Sequence, residues 1–210
     1  VGMKRILRWS AAFVVFAVLG ALVWYGLRGR YGPPPPGTIA VRGGEVFDWP
    51  PPENATHFRQ SDPRWGETAI GGSGEAIGAV GCTLCCVGMA FEQFGIDTDP
   101  EALNRSLIEL DGYTEQGWIK WNAVERAAEN RVRVTIHDRP SHETIDDNLK
   151  SGKLTLAKFF LPLGIPHWVL VCGKKGDDYL ILDPALKDPR PILFSKRAGA
   201  IVSIRSIGRR

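Results

Sequence analysis

The sequence is short of charge imbalance, of cysteines at disulfide spacing and of any internal repeat, and each shortage removes a class of protein. Lys and Arg total 26 against 23 for Asp and Glu, a net charge of +3 in 210 residues. Five of the basic residues (Lys4, Arg5, Arg8, Arg28 and Arg30) flank one apolar stretch, so the remainder is near neutral. No basic stripe with interleaved aromatics occurs, and a nucleic-acid partner is not expected. The chain has four cysteines, three of them crowded at Cys82, Cys85 and Cys86, with Cys172 far away. Neighbours in sequence make poor disulfide partners, so this is not a disulfide-stapled scaffold and the fold must rest on its core. No second ligand pair at metal spacing follows those cysteines, so a zinc site is not expected; nor does the chemistry read below call for an organic cofactor.

What is present begins with an uncharged run, Ala11 to Leu27 (AAFVVFAVLGALVWYGL). At about 1.5 Å per residue it is at the short end of what spans a hydrocarbon core of about 30 Å. Trp9 on one side and Trp24 with Tyr25 on the other suit the two membrane interfaces. A cleaved secretory signal shares the basic start and apolar middle, but the small-residue exit Val18-Leu19-Gly20 falls mid-run. The expectation is a retained anchor: residues 1–10 cytoplasmic, 11–27 a transmembrane helix, and the rest on the extracytoplasmic side. Tyr31 to Gly37 (YGPPPPG) and Pro50-Pro51-Pro52 cannot form helix or sheet interior. Residues 28–53 therefore read as a proline-rich stalk, with a short strand near Thr38 to Val41.

Residues 54–210 are of ordinary single-domain size. A pattern apolar nearly all round opens at Gly81-Cys82 and reads as a buried helix. Asp99-Pro100-Glu101 is a strong helix start, with a cap, a proline at the first position and an acid in the first turn. Trp118 to Ala128 and Ser141 to Lys150 suggest two more helices. Beyond Gly152 the period changes. Leu154 to Phe160, His167 to Cys172, Tyr179 to Leu182, Ile192 to Phe194 and Ala200 to Ile204 read as strands of an antiparallel sheet. Helices first and strands second is an α+β order.

The residues with chemistry sit at the borders of these elements. A thiol at a helix N-terminus gains acidity from unpaired N–H groups and the helix dipole, and a nearby imidazole increases it. Cys82 has the first condition. His167 begins a core strand, and Asp183 closes the next one, so antiparallel pairing through a short turn could set the acid beside the imidazole and fix its tautomer. Gln60 is the candidate side-chain donor of an oxyanion hole, beside the backbone N–H of Cys82. Taken singly, each has a plain structural alternative: a buried thiol, a satisfied core histidine, a turn aspartate, a glutamine holding the Asp62-to-Trp65 turn.

In order, Gln60-Ser61-Asp62-Pro63-Arg64-Trp65, Gly81-Cys82 opening a helix, Met89 and Gly95, His167-Trp168-Val169 and Asp183-Pro184 resemble bacteriocin-processing-type cysteine peptidases. These are family thirty-nine of the cysteine peptidases, and the likeness is to its stand-alone branch. The resemblance spans about Phe58 to Pro184. It implies a papain-like fold, Cys82 as nucleophile, His167 as general base and acid, Asp183 as orienting residue and Gln60 as oxyanion donor. A peptide or protein substrate follows from it, with no metal. Cys85 and Cys86 depart from the pattern, which has small or apolar residues there. They read as core packing, since free cysteine behaves as a small hydrophobe. Two rivals stay open on sequence: a catalytically silent peptide-binding module on the same fold, and a thiol–disulfide exchanger using Cys82 and Cys85.

Overall fold

Hydrophobic residues on the strands alternate between two destinations, and that alternation organises the molecule. The computed structural model describes residues 35–210, together with Gly20. Within them β1 is Ile39–Ala40, α1 Ile77–Val80, α2 Cys82–Gln93, α3 Pro100–Glu109, α4 Trp121–Ala127, β2 Val132–Ile136 and α5 His142–Lys150. The strands β3 Leu154–Phe160, β4 Pro166–Lys175, β5 Asp178–Leu182, β6 Ile192–Leu193, β7 Ala200–Ile201 and β8 Ser203–Arg209 follow. Six of them form an antiparallel sheet in the order β2-β8-β3-β4-β5-β6.

Side chains two apart on a strand share a face. Leu156, Leu170, Leu182 and Ile207 therefore meet Leu84, Val87 and Phe91 of α2, Leu103 and Leu107 of α3 and Val124 of α4 in one core. Their neighbours Ala157, Phe159, Val169, Val171, Ile181 and Ile204 point the other way, to Val41 and to Ile145 and Leu149 of α5. Both faces of the sheet are thus covered, and each fully buried Leu, Ile or Phe contributes roughly 1.5–3 kcal/mol. The helices start where the sequence says they should. Asp99 accepts from Ala102 N at 2.7 Å with Pro100 in the first turn, and Ser141 Oγ accepts from Thr144 N at 3.1 Å. α5 stops before Gly152, whose φ of +71° suits glycine.

The mixed helix-and-sheet class is therefore as expected, with several differences of extent. The third helix starts at Trp121 rather than Trp118, because Tyr113 and Ile119 form a bridge that holds the preceding loop and leaves Trp118 exposed. Strand β2 precedes α5, so the order is not strictly helices and then strands. The last expected strand divides: Ala200–Ile201 pairs with β1 in a separate ribbon, and Ser203–Arg209 lies inside the sheet between β2 and β3.

The stalk needs the largest correction, for the spacer reading of residues 28–53 does not hold beyond Thr38. Ile39 pairs with Ile201 and Ala40 with Ala200, and Arg42 and Trp49 bridge to Asp178 and Lys174. Gly43 and Gly44, both at positive φ, let the backbone pass where a Cβ would collide with His142 and Asp146. Under that segment lies a buried polar cluster. Lys174 Nζ, on a residue only 1% exposed, is 2.6 Å from Asp146 Oδ1 and donates to the Gly43 carbonyl at 3.0 Å. Tyr179 Oη donates to the same Asp146 oxygen at 3.0 Å, and Glu45 N donates to Oδ2 at 2.8 Å. The rings of Phe47 and Tyr179 lie 4.7 and 4.6 Å from the ammonium. A buried charge is tolerated only when paired and hydrogen-bonded, and here every donor has a partner. Among the described residues no helix is long and apolar enough to cross a membrane. The expected transmembrane segment, residues 11–27, lies outside them apart from Gly20.

Candidate active site

Cys82 is the first residue of α2, and the turn from α1 puts it there. Gly81 joins the two helices so tightly that a Cβ would sit 2.5 Å from the Ile77 carbonyl oxygen. The thiol meets the positive end of the helix dipole. Cys82 is 8% exposed, with only an edge reaching solvent.

His167 opens β4 and Asp183 follows β5, so one antiparallel hairpin carries both. His167 Nε2 is 2.6 Å from Asp183 Oδ1, and the two residues are 3% and 2% exposed. The ring is wedged edge-on against Phe159 at 5.4 Å between centroids. With Nε2 committed to the carboxylate, Nδ1 is the ring nitrogen left to face the Cys82 thiol, on which His167 acts electrostatically. Asp183 is itself held on every side. Oδ1 also accepts from Ala185 N at 2.9 Å, and Oδ2 is 2.6 Å from Arg197 Nε. His57 Nε2 donates to the Asp183 carbonyl at 2.9 Å.

Burial would raise the Cys82 pKa, but the hydrogen bond and positive charge of His167, with help from the Trp168 backbone and Thr83, hold it below the usual thiol value. Burial also works against protonated His167. Hydrogen bonds to Asp183 and Cys82 outweigh it and push that imidazole up to about 9. Asp183 stays below the ordinary carboxylate range despite burial, because His167, Ala185 and Arg197 all favour its charged form. The combination favours a thiolate–imidazolium pair near neutral pH.

Cys85 and Cys86 behave differently. Both are fully buried free thiols, pushed up first by desolvation and then by the charge of Cys82. Cys86 Sγ donates to the Trp168 carbonyl at 3.5 Å, fastening α2 to β4 beside His167.

Gln60 reaches the same place by its backbone, since its N–H donates to the Pro184 carbonyl at 2.9 Å. Its side-chain Nε2 donates to Gly78 O at 2.9 Å and faces Ala79 O at the 3.5 Å limit, which ties it to the turn leading into Cys82. Gln60 Oε1 is buried without a protein partner. The structure thus gathers all four residues singled out by sequence. It adds Arg197 and His57, which sequence reasoning missed. Neither carries a signal: Arg197 lies in an irregular loop, and His57 sits in an extended segment without periodicity.

No family model matches the chain, and no curated protein matches it. Nine solved chains do. One is a crystal structure described as that of a C39-like peptidase from Bacillus anthracis, with a TM-score of 0.49 and 11% identity over 78% of this chain and 99% of that one. That likeness concerns fold alone and is too slight to decide a function.

Proposed function

We propose that the chain is a papain-like cysteine peptidase, held outside a membrane by residues 11–27, that hydrolyses peptide or isopeptide bonds. The observations that support this reading are the 2.6 Å contact of His167 Nε2 with Asp183 Oδ1 and the lowering of the Cys82 pKa by the same imidazole, with Cys82 at the start of α2. A redox role would leave His167 and Asp183 without a task, and it would need Cys85 to ionise, which its burial opposes.

The steps follow from positions and charges. The Cys82 thiolate attacks the scissile carbonyl carbon, and the tetrahedral oxyanion forms near the Cys82 N–H at the helix end. Gln60 Nε2 keeps one hydrogen on Gly78, and the second, whose nearest carbonyl is at the limit of bonding, serves the oxyanion. Protonated His167 delivers its proton to the leaving nitrogen, the C–N bond breaks and a thioester remains. Neutral His167 then takes a proton from water, whose oxygen attacks the thioester; the thiolate leaves and the carboxylic acid is released. Asp183 holds the ring in one tautomer and steadies its charge throughout.

The test is covalent labelling of the full-length protein by a peptidyl epoxide, followed by locating the adduct. The expected outcome is one adduct, on Cys82, lost in Cys82→Ala and reduced to background in His167→Ala. A folded parent that takes no label would be a silent binding module, and the peptidase reading would fail.

A further inference from the structure

The β3–β4 hairpin ends in Phe160-Leu161-Pro162-Leu163-Gly164-Ile165-Pro166, and three of its apolar side chains are exposed to solvent. Leu163 is 98% exposed, Ile165 53% and Phe160 51%, so one tip carries three of the large exposed hydrophobics of the described residues. Single exposed leucines are ordinary on a protein surface, but a contiguous apolar knob marks a contact surface. Leu163 is moreover held at φ +66° between Pro162 and Gly164, a conformation uncommon for a bulky residue, and it projects outward from there.

Two further observations say what covers it. The first is charge. Between Leu154 and Gly173, the length of the hairpin that carries the tip, the one Asp, Glu, Lys or Arg is Lys158. Lys158 Nζ lies 5.6 Å from the Phe160 ring, so a cation stands at the base of the knob, as suits an anionic headgroup layer. The second is where the N-terminal chain arrives. Ile39 pairs with Ile201, and the adjacent Val202 N donates to the Lys158 carbonyl at 2.8 Å, two residues short of Phe160. Ile39 and Leu161 pack against the same core. The chain therefore joins the domain at the end of the sheet that bears the knob. The eleven residues between Leu27 and Ile39 (28–38) cannot span more than about 40 Å however arranged, so that end stays close to the apolar run.

We infer that the Phe160–Pro166 tip seats in the interfacial layer of the lipid bilayer that residues 11–27 enter. Interfacial seating buries apolar side chains at headgroup depth beside a cationic side chain, and this tip has both, the cation being Lys158. Pro166 adjoins His167, so a seated tip holds the Cys82 site at the membrane surface. On the peptidase reading above, the bond cleaved then lies in a membrane-proximal stretch of its substrate.

The inference extends the proposed anchoring, and one experiment separates the two. The full chain carrying Cys82→Ala and Leu163→Cys is labelled at residue 163 with an environment-sensitive NBD group. It is then reconstituted in phosphatidylcholine–phosphatidylglycerol vesicles containing acyl-chain spin-labelled lipid. Lys153→Cys is the control, since it is exposed at the opposite end of β3. Sedimentation with the vesicles reports the anchor, and fluorescence reports the tip. The expected result is a blue shift at residue 163 with quenching several-fold stronger than at residue 153. Equal quenching at the two sites in sedimented protein leaves the anchor standing and overturns the seating. A blue shift that follows protein concentration and ignores the quencher assigns the tip to a second copy, and overturns it too. Failure to associate with vesicles overturns both.

Discussion

Arg197 grips Asp183 from the side opposite His167, with Nε 2.6 Å from the carboxylate oxygen that the imidazole leaves free. The Arg197 side chain is 24% exposed while that of Asp183 is 0% exposed, so it shields as well as pairs. A charge-assisted hydrogen bond contributes roughly 1.5–3 kcal/mol, with the lower end fitting a partly solvated partner. Arg197→Ala is expected to slow peptidyl-epoxide labelling of Cys82 by about tenfold, since 1.4 kcal/mol is a factor of about ten. Arg197→Lys should restore part of the rate. A purely structural role would instead lower the melting temperature of both variants and leave the rate of the folded protein unchanged.

Turnover of a cleaved peptide amide should follow a bell against pH. The rising limb is thiolate formation, which His167 shifts below the ordinary thiol value, so this limb should lie at lower pH than a free thiol would give. The falling limb is loss of the His167 proton that the leaving nitrogen needs, centred near 9. Asp183 is the leading cause that raises His167, so Asp183→Asn should move the falling limb to lower pH and slow turnover. In His167→Ala, iodoacetamide alkylation of Cys82 at pH 6 should almost vanish. A variant that alkylates there as fast as the parent would show that the two residues are not a pair.

Gln60 has two possible duties that chemistry can separate. An oxyanion donor matters to acylation but not to alkylation, which forms no oxyanion. Gln60→Ala is expected to slow acylation of Cys82 by an activated peptide ester by roughly 10²–10³-fold while iodoacetamide alkylation stays at the parent rate. An equal loss in both would assign Gln60 to holding the Gly78–Ala79 turn.

The extra thiols should be silent. Burial pushes up Cys85 and Cys86, and pushes Cys172 up to about 12. Iodoacetamide at pH 8 should therefore mark Cys82 alone in the native protein and all four cysteines after denaturation, as counted by intact mass. Replacement of Cys85 and Cys86 by alanine should leave labelling of Cys82 intact. Loss of labelling in a folded double variant would favour the exchanger.

Breaking the buried Lys174–Asp146 pair is expected to be costly. Asp146→Ala strands an ammonium that is 1% exposed, and removal of one member of such a pair typically costs about 3–5 kcal/mol. Lys174→Met added to Asp146→Ala should recover part of the loss. Urea midpoints of the three proteins measure this, and equal stability of parent and Asp146→Ala would show that the cluster contributes little.

How much of this was legible depended on whether a residue's task leaves a local trace. The Asp99-Pro100-Glu101 start and the hairpin from β4 to β5 are local events with strong side-chain preferences, and both stand where the sequence places them. Cys82, His167 and Asp183 could be singled out because each sits at an element boundary, where period changes are easiest to read, and the folded chain brings His167 and Asp183 together. Strand β2 is the opposite case: Val132, Val134 and Ile136 do alternate, but the segment is short and follows directly on α4. The short strand near Thr38 to Val41 stands at Ile39–Ala40, but residues 42–53 were misread because their partners are 100 or more positions away, as with Glu45 and Asp146 or Arg42 and Asp177. Prolines argue against regular structure; they say nothing about whether an extended segment lies flat on a domain. Arg197 left no trace for the same reason, since only the folded chain brings it to Asp183.

The placing of His167 and Asp183 on one hairpin has a consequence for the newly made chain. Those two are sixteen residues apart and can meet early, whereas Cys82 joins them across 85 positions, only after its helix docks on the sheet. Until then the sulfur is an ordinary thiol, almost wholly protonated at neutral pH and poor at attacking carbonyls. On the peptidase reading proposed above, a chain that has not finished folding is therefore not yet reactive toward its surroundings. Reactivity at Cys82 thus waits on completion of the tertiary structure, which makes the last step of folding also the step that arms the sulfur.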